Sequence, residues 1–200
     1  MHHVRAAAIA LLLISTPLFA DDNDPVDCKA LKSSYEGKTL YLQHNFYHED
    51  GEATWINFMK TGDFLPVGAA VLVKKLKSDE AILQIKDETG REHEVEWDLD
   101  EALPDCATAL QRTLGESAPS MDGLSEADID GIKRGAISEG MSRKAVFLAV
   151  GYPPYLYERP WSDTTARNKD LVVNELTFVG STYDYVIVKF DADRVKAIDD

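Results

Sequence analysis

Ser125-Glu126-Ala127-Asp128-Ile129-Asp130-Gly131-Ile132-Lys133-Arg134-Gly135-Ala136-Ile137-Ser138-Glu139-Gly140-Met141-Ser142-Arg143-Lys144-Ala145-Val146-Phe147-Leu148-Ala149-Val150-Gly151 carries two helix signals in succession. Ser125 can cap the first, and Asp128 stands three positions later in a capping-box spacing, with Asp in place of Glu. Ile129, Ile132 and Ala136 recur on one face. Gly131 and Gly135 lie i, i+4 and each cost about 1 kcal/mol against Ala, which makes sense where a helix packs very closely on a neighbour. Gly140 is predicted to end this helix. Ser142 then caps a second, short one through Val150, with Val146, Phe147 and Val150 facing inward. Gly151 ends it, and Pro153-Pro154 prevent resumption. Downstream, Asn174 to Val179, Tyr185 to Phe190 and Arg194 to Ile198 read as strands, the last two joined by a tight turn at Asp191-Ala192-Asp193. In the first two, Leu176 and Phe178, and Val186, Val188 and Phe190, alternate onto one face. Two helices followed by an antiparallel meander predict an α+β layer.

The run Ile137-x-x-Gly140-Met141-Ser142 followed by Val146 and then Gly151-x-Pro153 resembles the turn between helices in the BamE (SmpA/OmlA) family. So does the ending Val188-x-Phe190 … Asp193-Arg194-Val195-x-x-Ile198. The likeness covers about residues 124–199. It implies an αα-βββ two-layer domain and a non-enzymatic role in the cell envelope, in support of outer-membrane protein assembly or envelope integrity.

Upstream, Gly115 to Gly123 has linker composition, so residues 21–114 and 124–200 are read as two units joined by 115–123. In the first unit the period is two. Strands are expected at Thr39 to Gln43, Thr54 to Met59, Val71 to Leu76, Ala81 to Lys86 and Glu92 to Trp97. Leu65-Pro66-Val67-Gly68 reads as a turn or edge, Asp87-Glu88-Thr89-Gly90 as a hairpin loop, and Ala107 to Leu114 as a short helix stopped by Gly115. Short strands at this spacing suggest a small barrel. Their order, with a Leu-Pro-x-Gly turn before a valine-rich strand, resembles the bacterial SH3-like barrel over about residues 36–98. The acidic Tyr-containing loop and Trp-Trp pair of proline-motif binders are missing, so that binding is not expected.

Met1 to Ala20 has a short basic start (Arg5), an apolar run from Ala6 to Ile14, a Ser-Thr-Pro break and a small residue at Ala20, the shape of a cleavable secretory signal. The chain is therefore expected to be periplasmic or secreted. No Cys lies at the cut, so no lipid anchor is expected, and no later stretch approaches the ~20 apolar residues of a membrane span. The 21 Lys+Arg against 35 Asp+Glu leave a net charge of −14, which disfavours nucleic acid and anionic lipid as partners. Losing Arg5 with the signal, and no acid, would make it −15. Residues 21–116 hold 10 basic and 21 acidic side chains, and residues 117–200 hold 10 and 14, so the acidity sits mainly on the first unit. Cys28 and Cys106 are an even pair in an exported chain, which reads as a disulfide with free thiols as the alternative. Closing that loop would stabilise by about 4–5 kcal/mol in the chain-entropy model.

Catalytic signatures are missing: there is no Gly-x-Ser-x-Gly elbow, P-loop or dinucleotide fingerprint. An enzyme, a metal and a cofactor are accordingly not expected. His44, His48, Glu49 and Asp50 cluster in one segment but lack metal-ligand spacing, and they read as a solvated loop. The unusual stretch is Gly151 to Trp161. Tyr152, Tyr155, Tyr157, Arg159 and Trp161 are of the types that anchor interfaces, and the prolines among them reduce the entropy lost on contact. Two readings stand: these aromatics face a protein partner, or they cover the edge of the helix–sheet core. The expected function is a non-catalytic interaction or scaffolding module of the bacterial envelope with an envelope protein as partner. A periplasmic cell-wall ligand-binding or sensing protein and a secreted enzyme inhibitor are the alternatives.

Overall fold

The structure, a computed structural model, describes residues 27–58, 63–86, 91–100, 105–153, 155–156, 159–160, 175–180 and 185–199; of residues 63, 155, 156, 159 and 160 it describes the backbone only. The chain is of mixed α+β class. A 3-10 turn at Cys28–Leu31, capped by the Asp27 carboxylate accepting from the Lys29 N–H, runs into the single-turn helix α1 (Lys32–Tyr35). Strands β1 (Thr39–Leu42), β2 (Phe46–His48), β3 (Glu52–Thr54), β4 (Asp63–Leu65), β5 (Ala70–Leu76), β6 (Glu80–Lys86) and β7 (Glu92–Asp98) follow, then helix α2 (Cys106–Thr113) and strand β8 (Leu114–Gly115).

Six of these form one sheet in the order β3-β7-β6-β5-β1-β8. Alternation drives it: Val71 and Val73, Ala81 and Leu83, and Val95 and Trp97 bury on one face, while Glu94, Glu96 and Asp98 point out. The inward side chains, with Leu40, Leu42, Phe46 and Leu110, make the first core. Cys28 and Cys106 close it as a disulfide with Cα atoms 5.5 Å apart, as expected of an even pair. The Asp105 carboxylate caps α2 through the Thr108 N–H.

The expected SH3-like barrel is not closed. Among the described residues the sheet is open, with β3 and β8 at its edges. The reason lies between Gln43 and Leu65. β2 pairs only with β4, in a separate two-stranded ladder. The Asp50–Gly51 turn, both residues at positive φ, then turns β3 to lie parallel to β7, with Ala53 opposite Trp97. The strand expected at Thr54 to Met59 does not form: only Thr54 is in a strand, as the last residue of β3, its hydroxyl donating to the Ile56 carbonyl, and residues 55–58 are irregular; Met59 lies outside the described residues. So does the expected hairpin loop 87–90, although its flanks pair antiparallel, Lys86 opposite Glu92. Gly115 does not simply stop α2, because Leu114–Gly115 adds to β1 as an edge strand.

The second half holds helices α3 (Glu126–Arg134) and α4 (Arg143–Val150) and a five-stranded sheet. That sheet consists of β9 (Tyr155–Leu156), β10 (Arg159–Pro160), β11 (Glu175–Val179), β12 (Tyr185–Asp191) and β13 (Arg194–Asp199), in the order β10-β9-β11-β12-β13. Leu176, Phe178, Val186, Val188 and Phe190 meet Ile132, Val146, Ala149 and Val150 in a second core. The meander was expected, and the β9–β10 ladder was not. Asp128 organises both helix starts. Its Oδ2 accepts from the Ser125 N–H and hydroxyl, completing the capping box, and its Oδ1 accepts from the Ser142 N–H at 2.6 Å. Burial raises the Asp128 pKa, but these donors, with Arg194 beside it, outweigh burial and hold the carboxyl below its usual range.

Helix α3 ends at Arg134 rather than near Gly140, because Gly135 takes the left-handed conformation (φ 60°, ψ 38°) and donates back into the last turn. The close approach anticipated at Gly131 is real, since a Cβ there would fall 2.4 Å from the buried Met141 Sδ. Gly140 instead donates to the Val195 carbonyl, tying the interhelical turn to β13.

Candidate interaction site at the junction of the two cores

The last four carbonyls of an α-helix have no partner within it. In α4 these belong to Phe147, Leu148, Ala149 and Val150. Gly151 donates to the first. The other three accept from the first half of the chain. The Asn45 N–H reaches the Leu148 carbonyl at 2.9 Å, Asn45 Nδ2 the Ala149 carbonyl at 3.1 Å, and Asn57 Nδ2 the Val150 carbonyl at 2.7 Å. Helix α3 is finished in the same way, with Asn45 Nδ2 donating to the Ile132 carbonyl at 2.7 Å and the Tyr47 hydroxyl to the Gly135 carbonyl.

Asn45 is 1 % exposed, and its amide is bonded at both ends. Nδ2 faces two carbonyls, and Oδ1 accepts from the Val67 N–H at 2.9 Å, so the network dictates which way the amide points. Asn57 Oδ1 accepts from the Tyr47 N–H. Burial pushes the Tyr47 hydroxyl up to about 12.

His44 sits beside this seam, 4 % exposed. Its Nδ1 lies 2.8 Å from the Asn45 carbonyl, which has no proton to give, so Nδ1 carries the hydrogen. Nε2 then accepts from the Thr113 hydroxyl at 3.3 Å. Desolvation lowers the His44 pKa to about 4 against the pull of its carbonyl bond. At neutral pH it is an uncharged structural group with both nitrogens engaged. The expectation that His44 belongs to a solvated loop is therefore corrected: His44, Asn45, Phe46 and Tyr47 are buried, while Glu49 and Asp50 are exposed as expected. Gly151 is needed where it stands, because at φ 79° a Cβ would meet the His44 ring and Asn57 at 3.1 Å.

The chain leaves α4 over this seam and presents Tyr152, one of the few large hydrophobic residues in the described part that is exposed, at 38 %. Its ring stacks on Phe147 at 4.9 Å and 20°, and the Arg112 guanidinium lies 5.0 Å over its centroid. Phe147, expected to point inward, is half-buried and divides itself between the second core and Tyr152. A small cleft of about 40 Å³ opens beneath, reaching past Trp55 and Asn57 to His44 and Trp97. Trp97 is itself held by its indole N–H on the Thr54 carbonyl and by an edge-on contact with Phe46.

Of the anchor residues expected from sequence, Tyr152 is at this junction. Tyr155 and Arg159 belong to β9 and β10, where only the backbone is described, and Tyr157 and Trp161 lie outside the described residues. Sequence reasoning missed Arg112, Phe147 and the Asn45–Asn57 seam. Among the described residues no group of three or more His, Cys, Asp or Glu could hold a metal ion, and no helix is long and apolar enough to cross a membrane. Compared with protein-family models, curated proteins and solved structures, the chain matches none.

Proposed function

We propose that the protein is a non-catalytic interaction module of the bacterial cell envelope, exported after cleavage near Ala20, and that Tyr152 marks its contact face. The observation that carries the reading is the Phe147–Tyr152–Arg112 ladder on a backbone locked by the Asn45 and Asn57 bonds. Tyr and Arg are favoured interface anchors, and a rigid support removes the ordering cost of contact. The BamE-like pattern of residues 124–199 and the signal-like start support placement in the envelope. The open six-stranded sheet of the first half supplies Trp97 to the cleft beneath this face. The cleft beneath Tyr152, at about 40 Å³, is itself well below the ~300–1,000 Å³ of small-molecule sites, so it does not favour a cell-wall saccharide there.

A photo-crosslinking residue in place of Tyr152, in cells of the source organism, tests the reading. The expected result is a discrete crosslink to an envelope protein, absent when the crosslinker replaces the exposed Lys133. Fractionation of the protein to the cytoplasm, or no crosslink from correctly folded protein, would overturn it.

A further inference from the structure

The two apolar cores are separate clusters, and among the described residues of the first half only Val67 packs on the second. What joins the halves at the ends of α3 and α4 is the set of hydrogen bonds from Asn45, Asn57 and Tyr47. Such bonds are exchanged for bonds to water on opening and hold less than apolar burial does, so the molecule parts locally at this seam more readily than within either core. His44 sits in the seam. Its ring bridges the Asn45 carbonyl and the Thr113 hydroxyl at the end of α2. Gly151, at the end of α4, passes so closely that a Cβ there would meet the ring at 3.1 Å.

The ring is 4 % exposed, and the space beside it is lined by no carboxylate among the described residues. Of titratable groups there, α2 contributes the Arg112 guanidinium and the residue after Gly151 the Tyr152 hydroxyl; residues 54–57 and β7 contribute none. The dipoles of α2 and α4 favour a cation at their ends, but their terminal carbonyls already accept, Thr113 from the Gln43 N–H, Ala149 from Asn45 and Val150 from Asn57. We propose that His44 is an acid-sensitive latch on this seam: on taking up a second proton it parts Gly151 and the end of α4 from residues 44–57, while both apolar cores stay folded. The proton arrives at Nε2, where the Thr113 hydroxyl can turn from donor to acceptor. The opening is therefore driven by a charge that lacks water in the closed seam and gains it in the parted one. The inference stands on the seam itself and does not depend on the proposed interaction role.

Native-state hydrogen exchange of the full chain from pH 7 to pH 4 tests this, with protection referred to the intrinsic rate at each pH. The Asn45 N–H, donating across the seam to the Leu148 carbonyl, reports the latch; the Val73 N–H on the Lys38 carbonyl and the Val146 N–H on the Ser142 carbonyl report the two cores. Desolvation holds the closed His44 near 4, against 6.5 once it is hydrated, so protection at Asn45 is expected to fall about 100-fold over that range. It should do so with little dependence on added urea, as befits an opening that exposes little surface, while Val73 and Val146 stay better protected by at least about tenfold. His44→Gln should flatten the pH dependence at Asn45. If that variant does not fold, the wild-type exchange pattern and the titration of the His44 ring protons decide by themselves. The latch is overturned if Asn45 exchanges only together with Val73 and Val146, if its protection does not vary with pH, if His44→Gln leaves the variation unchanged, or if the His44 ring titrates at 6.5 or above.

Discussion

Asn45→Asp replaces one atom and inverts the seam. The amide now donates to the Ile132 and Ala149 carbonyls at 2.7 and 3.1 Å. A carboxylate would set a charged oxygen against both, in a site 1 % exposed. A neutral carboxyl can donate to one of them, so its cost is one stranded buried carbonyl, about 1–3 kcal/mol. Keeping it neutral costs a further ~1.4 kcal/mol for each pH unit above the unfolded value of about 3.9. At pH 7 that second contribution reaches about 4 kcal/mol, provided the folded pKa stays above 7. The total, about 5–7 kcal/mol, approaches the whole stability of a domain of this kind, ~5–15 kcal/mol. The sign follows from proton counting: the folded variant binds more protons than the unfolded one, so its stability falls as pH rises. Urea denaturation of wild type, Asn45→Ala and Asn45→Asp from pH 5.5 to 8 measures this, and the unfolded His44 proton cancels in the difference. Asn45→Ala should sit a constant ~2–5 kcal/mol below wild type. A constant difference for Asn45→Asp as well would mean that the new carboxyl reaches water, and would refute the buried seam.

Three further expectations follow from the same geometry. His44, held neutral with a pKa near 4, disfavours the proton that the unfolded chain binds near 6.5, so the protein should lose about 3 kcal/mol as pH falls from 6.5 to 4; His44→Gln should flatten that segment of a stability–pH curve, and an unchanged slope would count against it. Reducing Cys28–Cys106, which spans 78 positions, should lower stability by about 4–5 kcal/mol in a denaturant titration run with and without reductant, while a change under 1 kcal/mol would show that the loop is already constrained in the unfolded chain. Asp128→Ala removes acceptors from the starts of both α3 and α4 and should cost about 2–4 kcal/mol, with hydrogen exchange quickening at Ser142 and in the first turns of both helices; loss confined to α3 would contradict the shared cap.

Helix α4 and its Ser142 cap, the capping box at Ser125, strands β5 to β7, the β11–β13 meander and the disulfide were all legible from residues. Each depends on information within a few positions, or on two cysteines in an otherwise cysteine-free chain. Side-chain alternation on a strand and a capping side chain three residues from its donor are local facts. The site was legible only at Tyr152, where a bulky aromatic follows a helix-ending glycine. Arg112 and Phe147, its neighbours in space, read as ordinary helix residues.

What the sequence determined alone was the class, the strand and helix inventory of the strongly periodic segments and the acidic charge, with a disulfide as the favoured reading of its two cysteines. What only the tertiary structure decided was how the polar run Gln43-His44-Asn45 is spent. An asparagine in a solvated turn and one that completes the ends of two helices 87 and 104 positions away look the same in sequence. The open sheet follows from the same cause. Helix-terminal carbonyls in a dry interior must find donors, and here the segment around Asn45 supplies them, with β2 and β4 in a ladder of their own beside it and the barrel left unclosed.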